Sequence, residues 1–334
     1  MTDTTWTYDD ILLEPAAGFD VSHKNIDLGA RLIGDVWIQQ PIVMAPMSAI
    51  SNVPLFKKLY NNFGILPWIH RDMSAKEQAA KIIKLNKQHV YAIAVSSKAP
   101  DIDERISEAG YAIEVKHGGE KVPLVVKIDV ANGSSKKSIN AVKWIKKNFP
   151  WVYVFSGNVC TSVAAGMLVD EGADGIMVGI GGGSACTTRG VTGIGVGNGD
   201  ALHRVVGSVR SRGSRCTVCA DGGFRNSGQV AKALALGADI CMSGRFFQSG
   251  NVYYGMASKT ELDAIGKDRR CYEGATIETP FRSTEDILED TEIILNNLRS
   301  AYSYLGCRSS AEVTKLAIQY RFVSRGVYNE SFAR

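Results

Sequence analysis

The chain has 334 residues, of which 45% are hydrophobic and 22% are charged, with 34 glycines and a formal net charge of +4. This composition excludes a disordered protein, and the positive charge is spread without a basic tract, which argues against nucleic-acid binding. No apolar run reaches the roughly 18 residues that a membrane helix needs, so we expect a cytoplasmic protein that does not act at a membrane.

Short apolar runs rich in β-forming residues recur along the chain, with helical patterns between them. Most of these runs are apolar throughout, as expected of strands that are covered on both faces in a parallel sheet. The predicted strands are residues 42–45, 65–69, 90–95, 124–128, 152–155, 175–178, 217–220 and 240–242. The predicted helices include residues 53–60, 138–148, 162–171 and 227–236. Eight alternating units predict an α/β fold, a closed (β/α)8 TIM barrel.

An open doubly wound sheet would show the same alternation of strands and helices. We favour the barrel because no G-x-G-x-x-G follows the first predicted strand. About 90 residues follow the last strand, including a helical pattern over 284–299. We therefore predict one catalytic domain over 1–334 without a regulatory domain insertion, in which an extension from about residue 250 to 334 covers the active-site region.

A glycine-rich loop containing Cys186 follows the sixth predicted strand. The segment is Gly181-Gly-Gly-Ser-Ala-Cys-Thr-Thr-Arg189. Glycines let a backbone approach a ligand closely, and the hydroxyl and guanidinium groups suit an anion or a polar heterocycle. A thiol displayed at the end of a buried strand indicates covalent catalysis, although a loop with an inert thiol would give the same local pattern.

Other glycines follow the last two predicted strands, Gly222 and Gly223 after the seventh and Gly244 after the eighth. Barrels commonly bind phosphate in this region through backbone N–H groups and a helix N-terminus. Ordinary turns would contain the same residues. The glycines therefore indicate a phosphate site only in combination with the rest of the chain.

The seven cysteines and five histidines do not predict a disulfide framework or a catalytic metal. The cysteines lack the spacing of a secreted scaffold, which favours a reducing compartment. Cys216-Thr-Val-Cys219 lies in a predicted strand, where residues three apart point to opposite faces. No second cysteine or histidine pair accompanies it, so we interpret both thiols as packing residues.

Several segments together resemble a known family over nearly the whole chain. They are residues 7–15, 41–47, 156–161, 172–189, 221–223 and 254–256. These segments resemble the IMP dehydrogenase and GMP reductase family, and Asp129-Val-Ala-Asn-Gly133 and Cys186-Thr-Thr-Arg are most similar to its reductase branch. Dehydrogenases of this family carry inserted regulatory domains and a long flap that activates water, whereas only 28 residues lie between Gly244 and Glu273 here.

The resemblance implies NADPH-dependent reductive deamination of a guanine-type nucleotide, GMP or dGMP, to IMP or dIMP with release of ammonia. Cys186 would attack C2 of the purine and form a covalent thioimidate intermediate that accepts hydride. Thr188 and Glu273 would deliver the proton that the leaving amine needs. Considered alone, Glu273 would be an ordinary surface carboxylate.

The same resemblance implies ligand contacts and an assembly. The substrate, a purine nucleoside monophosphate, would bind to Ser184, Asp221, Gly222, Gly223, Gly244, Arg245, Met256, Ala257, Arg270 and Gly274. The cofactor would bind to Arg71, Asp129, Ala131, Asn132, Gly133, Asn158, Thr187 and Arg189. A monovalent cation, K+, would bind to the backbone of Gly181, Gly183 and Cys186. The family further implies a homotetramer.

Some residues depart from the family pattern around the nucleotide and not around Cys186. They are Arg71, Arg245, Ala257 and the segment Ile194-Gly-Val-Gly-Asn198. The reaction type is therefore better defined than the substrate. The alternatives are a reductase of a modified guanine nucleotide, an IMP dehydrogenase without regulatory domains, and a barrel that only binds nucleotides.

Overall fold

The computed structural model describes residues 4–266, 271–316 and 318–330, and its centre is an eight-stranded parallel sheet. The strands, β1 to β8 in chain order, are Ile42–Met44, Trp68–Ile69, Tyr91–Val95, Leu124–Asp129, Tyr153–Val159, Gly175–Val178, Thr217–Asp221 and Ile240–Ser243. Strand β8 pairs with β1, and an isolated bridge between Met44 and Pro67 continues the sheet from β1 towards β2. The predicted (β/α)8 TIM barrel is confirmed, with all eight strands at their predicted places.

Helices connect consecutive strands and cover the outside of the barrel. The main helices are Val53–Phe63, Ala75–Lys84, Ala99–His117, Lys136–Asn148, Ser162–Asp170, Asn198–Ser211, Ser227–Ala235 and Thr284–Tyr304. Six of them begin directly after a capping residue whose side chain accepts a hydrogen bond from a backbone N–H of the first turn. These capping residues are Asn52, Ser74, Ser135, Thr161, Asn226 and Ser283. The helix predicted over 284–299 extends further, to Tyr304.

Shorter elements complete the described part of the chain. The short α-helices are Thr188–Thr192, Lys259–Ala264, Ser310–Lys315 and Arg325–Glu330, and the 3-10 helices are Tyr8–Asp10, His23–Asn25, Ser48–Ile50 and Arg245–Phe247. Three antiparallel pairs join Ile11–Leu13 with Tyr320–Phe322, Ala30–Ile33 with Val36–Ile38, and Gly250–Tyr254 with Thr276–Arg282. Within the described ranges, no helix combines the length and the apolar character that a bilayer crossing requires.

The barrel interior is filled by large apolar side chains. Trp68 of β2 and Phe155 of β5 meet edge to face, with ring centroids 5.2 Å apart. Because β2 and β5 are not neighbours in the sheet, this contact crosses the interior. Gly175 of β6 makes room for it, since a Cβ there would lie 2.3 Å from the Phe155 ring. Apolar residues therefore fill both faces of the strands, as their continuous apolar sequence predicts.

The two thiols of the C-x-x-C segment are buried and unpaired. Cys216 immediately precedes β7, and Cys219 lies within it. Burial, together with the carboxylates of Asp174 and Asp239, raises the pKa of the Cys216 thiol to about 12. A thiol with so high a pKa is a poor nucleophile at neutral pH, which supports the interpretation of these cysteines as packing residues.

We expect Phe155→Ala to lower the free energy of unfolding by about 3–5 kcal/mol, because the ring is fully buried and its loss leaves a cavity in the barrel. Chemical denaturation followed by circular dichroism measures this loss. Phe281→Ala is the matched control, since that ring is 71% exposed, and we expect its effect to stay within about 0.5 kcal/mol. Equal losses in the two variants would contradict the packing role of Phe155.

Candidate active site

A cleft of about 390 Å³ opens at the carboxyl ends of the barrel strands. Its walls come from residues at or after the ends of seven strands, β1, β2 and β4 to β8, and from the chain that follows β8. This volume lies within the range of small-molecule sites, and this end of a barrel is where TIM-barrel enzymes place their active sites. The cleft is therefore the candidate active site.

Cys186 lines the cleft and lies close to a hydroxyl group. Its Sγ is 3.2 Å from the Oγ1 of Thr188, at the start of the helix Thr188–Thr192. The backbone N–H of Cys186 donates to the carbonyl of Gly183 at 3.0 Å, which closes a tight turn. Because both side chains line the cleft, a ligand bound there can meet a thiol and a hydroxyl together.

Backbone hydrogen bonds join the Cys186 loop to a distant part of the chain. The N–H of Thr187 donates to the carbonyl of Glu273 at 2.9 Å, and the N–H of Ala275 donates to the carbonyl of Ala185 at 2.9 Å. These bonds flank an antiparallel pairing of Cys186 with Gly274. We call this pairing of residues 185–187 with 273–275 the backbone clamp. It brings Glu273 to the wall of the same cleft.

A third chain segment, 255–258, lies against the backbone clamp. The N–H of Gly255 donates to the carbonyl of Ala275 at 3.1 Å. A Cβ at Gly255 would lie 2.6 Å from the carbonyl oxygen of Ala185, and one at Gly274 would lie 2.7 Å from the backbone nitrogen of Ser258. At both positions, only glycine fits without a shift of the neighbouring backbone.

Arg189 braces the Cys186 loop from inside. Its Nε donates to the carbonyl of Ile180 at 2.8 Å, and its Nη2 donates to the carbonyl of Val196 and to Oδ1 of Asn198, both at 2.6 Å. Asn198 in turn donates through Nδ2 to the carbonyl of Gly222 at 3.2 Å. The Arg189 side chain therefore holds the loop together and does not line the cleft.

The turn after β7 and the start of the chain after β8 offer donors side by side. Gly222 and Gly223 have φ values of 78° and 84°, in the left-handed region that favours glycine. Arg245 follows β8, and its Nη1 lies 3.4 Å from the Oγ of Ser184. A glycine turn beside a guanidinium and a hydroxyl is suited to an anionic group such as a phosphate.

A buried lysine lies at the base of the cleft. Lys127 of β4 is only 3% exposed, and its Nζ lies 3.0 Å from Oδ1 of Asp129 and 3.3 Å from Oδ2 of Asp221. Burial acts to lower the pKa of Lys127, but the two carboxylates outweigh it and raise the pKa above its ordinary value. Asn158 also donates to Oδ2 of Asp221, at 2.9 Å. Sequence analysis did not single out Lys127.

The segment after β2 is fixed at the edge of the cleft by two arginines. Arg71 donates through Nε to the carbonyl of Asp129 at 3.2 Å, and the same Nε lies 3.8 Å from the Asp129 carboxylate. The largely buried Arg105 donates through Nη2 to the carbonyls of Arg71 and Met73 at 2.9 and 2.8 Å. Arg71 is thereby held beside Asp129.

Most of the predicted site residues share the cleft wall. Those that line it are Arg71, Asp129, Ala131, Asn158, Gly181, Gly183, Ser184, Cys186, Thr188, Asp221, Gly222, Gly223, Gly244, Arg245, Met256, Ala257 and Glu273. Thr187 and Gly274 lie in the backbone clamp, whereas Asn132 and Gly133 follow Ala131 in the chain and do not line the cleft. Arg270 lies outside the described residues.

Two polar residues of this site escaped sequence reasoning. The signal for Lys127 was a single charge within the apolar run 124–128. Asn198 had no local signal, because its role depends on Arg189 and Gly222, which only the fold brings to it.

Comparison with known proteins identifies a family, and relatives that align with this chain over most of its length. The model of the IMP dehydrogenase / GMP reductase domain matches residues 5–332. A GMP reductase of Onchocerca volvulus is 29% identical, covering 98% of this chain and 93% of its own. A GMP reductase of Buchnera aphidicola is 30% identical, covering 92% and 91%. GMP reductase 2 of Bos taurus is 29% identical, covering 94% and 93%. This match, extending over nearly all of its length, shows that the chain belongs to the IMP dehydrogenase and GMP reductase family.

Proposed function

We propose that this protein is a GMP reductase-type oxidoreductase that converts GMP or dGMP to IMP or dIMP with NADPH. In the balanced reaction, the guanine nucleotide, NADPH and two protons give the hypoxanthine nucleotide, NADP+ and ammonium. The observation that carries the proposal is the backbone clamp, which holds Glu273 on the wall of the cleft that contains Cys186 and Thr188. The GMP reductases among its relatives support the same activity.

Nucleotide binding, in this proposal, uses the donors of the turn after β7 and the start of the chain after β8. The phosphate would lie between Ser184, the Gly222–Gly223 turn and Arg245, where backbone N–H groups and a guanidinium are available. Asp221 would accept hydrogen bonds from the sugar. The base would lie against a further set of residues, Met256, Ala257, Arg270 and Gly274. Residues from about 250 onward would act as a cover of the same catalytic domain.

Covalent catalysis would begin at the Cys186 sulfur. As the thiolate, Sγ would form a bond to C2 of the guanine ring, and the C2–N bond would break as the amine leaves as ammonia. The amine needs a proton to leave, and we assign its delivery to Glu273 acting through the Thr188 hydroxyl, which lies 3.2 Å from Sγ. The C2–S bond would break once C2 carries hydrogen, and the thiolate would be regenerated.

The wall formed by Arg71, Asp129, Ala131 and Asn158 fits a nicotinamide cofactor. It combines a guanidinium, a carboxylate and an amide with the small side chain of Ala131. Gly133, two residues after Ala131, accommodates no Cβ, which would lie 2.6 Å from the backbone of Gly157. A bound NADPH would supply the hydride that replaces the amine on C2. We assign Asn132, Gly133, Thr187 and Arg189 to shaping this side of the site.

Three further properties belong to the same proposal. The backbone of Gly181, Gly183 and Cys186 would bind K+, because their turn offers carbonyl oxygens, the ligands that such a cation takes. The protein would act as a homotetramer in the cytoplasm. Exposed apolar side chains on outer helices, such as Tyr111 and Val163, offer surfaces for such contacts.

Turnover of guanine nucleotides is the direct test. We expect the purified protein to oxidise NADPH and to release ammonia when GMP or dGMP is added, as followed by the absorbance of the reduced nicotinamide and by an ammonia assay. Comparing the two nucleotides, and NADPH with NADH, identifies the substrate and the cofactor. NAD+ reduction with IMP, without turnover of any guanine nucleotide, would instead identify a dehydrogenase.

The covalent role of Cys186 predicts that Cys186→Ser abolishes turnover and preserves nucleotide binding, because a hydroxyl is nearly isosteric with a thiol but much less nucleophilic. Turnover and calorimetric binding of GMP measure the two properties. Cys216→Ala is the control, since this thiol is buried outside the cleft. Full activity of Cys186→Ser would eliminate the covalent step.

The proton-transfer role of Glu273 predicts that Glu273→Gln slows ammonia release by about 10²-fold or more, because the amide keeps the shape of the side chain but not its acid–base function. Single-turnover experiments separate ammonia release from hydride transfer to a preformed intermediate, which we expect to slow less. Glu278→Gln, an exposed carboxylate nearby in the chain, is the control. Equal slowing of both steps would make Glu273 a positioning residue.

A further inference from the structure

Lys127 is an unusual residue for the interior of a parallel barrel. Its neighbours in β4, including Val126 and Ile128, are buried and apolar, and Lys127 itself is 3% exposed. A buried charge lowers stability unless it is well paired, and apolar side chains of similar size usually serve a core at least as well. Packing alone therefore does not account for a lysine at this position.

The two carboxylates that pair with Lys127, Asp129 and Asp221, lie on different walls of the cleft. Asp129 lies on the wall assigned to the nicotinamide, and Asp221 lies on the side assigned to the nucleotide. The Lys127 ammonium contacts both carboxylates, at 3.0 and 3.3 Å. The two sides of the cleft thus share one buried cation.

Asp221 is also held in one orientation. The donors from Lys127 and Asn158 both reach its Oδ2. Its other oxygen, Oδ1, is left available to accept a hydrogen bond from a sugar hydroxyl. This function requires the ionised form, because a protonated carboxyl group would offer a donor at the same place.

Resting on the proposed function, we propose that Lys127 is a positioning residue that keeps Asp129 and Asp221 ionised and correctly oriented, so that one buried charge supports both ligand sites. Without the ammonium, two carboxylates would face each other at the base of the cleft. Like charges in a poorly solvated site raise the pKa of at least one carboxylate, which would then take up a proton near neutral pH.

Other charged or titratable groups surround this cluster and do not replace Lys127. They are Arg71 and His70 after β2, Cys219 in β7, Tyr253 in the chain that follows β8, and Tyr8 near the start of the chain. Burial, together with Lys81 and Arg105, lowers the pKa of His70 to about 3, so His70 is neutral at pH 6–8. Arg71 reaches Asp129 only at 3.8 Å. Among these groups, Lys127 is the cation that contacts both carboxylates.

The first test is GMP binding by Lys127→Met, measured by calorimetry at pH 8 and pH 6. We expect the ratio of the Kd of the variant to that of the wild type to be about 10 at pH 8 and to rise about 10-fold further at pH 6, as a carboxylate protonates. The ligand phosphate titrates equally with both proteins, so this ratio isolates the change at the site. Lys146→Met, which breaks a partly buried ion pair with Asp174 outside the cleft, should leave the ratio near one at both pH values.

The second test needs no ligand, because it follows the melting temperature of the same proteins from pH 8 to pH 5.5. In Lys127→Met, a carboxylate whose folded-state pKa is raised gains a proton as the pH falls, and folding is then favoured. The stability deficit of this variant should therefore shrink towards pH 5.5, whereas that of Lys146→Met should stay constant. Adding Asp129→Asn to Lys127→Met removes the like-charge pair and should reduce this pH dependence.

The outcomes separate this inference from the proposed function. If the wild type neither binds nor reduces guanine nucleotides, the proposed function fails, and the melting experiments alone decide the role of Lys127. The inference would be overturned if neither the stability deficit of Lys127→Met nor the ratio of its Kd to that of the wild type changed with pH. Failure of both Lys127→Met and the double variant to fold at every pH would also overturn it, in favour of a purely structural lysine.

Discussion

The candidate active site depends on the backbone clamp, two hydrogen bonds between residues 185–187 and 273–275. Each of these segments lies on the rim of the cleft, but they come from different parts of the chain, after β6 and after β8. Gly255 and Gly274 permit the contact, because a side chain at either position would meet neighbouring backbone. The thiol and the carboxylate therefore share one cleft as a result of main-chain contacts, independently of any attraction between their side chains.

A second constraint acts at the base of the cleft, where the Lys127 ammonium joins Asp129 and Asp221. A polar cluster of this kind needs all of its partners, since removing one leaves buried charge unpaired. The barrel supplies those partners from strands β4 and β7, with Asn158 from β5. Backbone hydrogen bonds thus hold the rim of the cleft, and ion pairs hold its base. The volume available to a ligand lies between the two.

The sequence predicted the architecture well because parallel strands buried on both faces are apolar without interruption, and each of the eight runs was recognisable locally. Helix Ala99–His117 was less visible, since exposed Tyr111 and Val115 blur its amphipathic pattern. Helix Asn198–Ser211 begins within a glycine-rich segment, and glycines are not typical of a helix, so its first residue could not be recognised from the sequence. The loop with Cys186 was found from composition, and Glu273 from family resemblance. Lys127 and Asn198 were not found, because Asp221 lies 94 residues from Lys127 and Gly222 lies 24 residues from Asn198, and only the fold brings them together.

The brace formed by Arg189 has a thermodynamic consequence. Its three hydrogen bonds, to Ile180, Val196 and Asn198, all lie within the chain and hold the Cys186 loop in shape. The conformational entropy of ordering these residues is therefore lost when the chain folds and not when a nucleotide arrives. In a loop preorganised in this way, the thiol is already in place when a ligand binds. The free energy of binding then does not include the cost of ordering the loop.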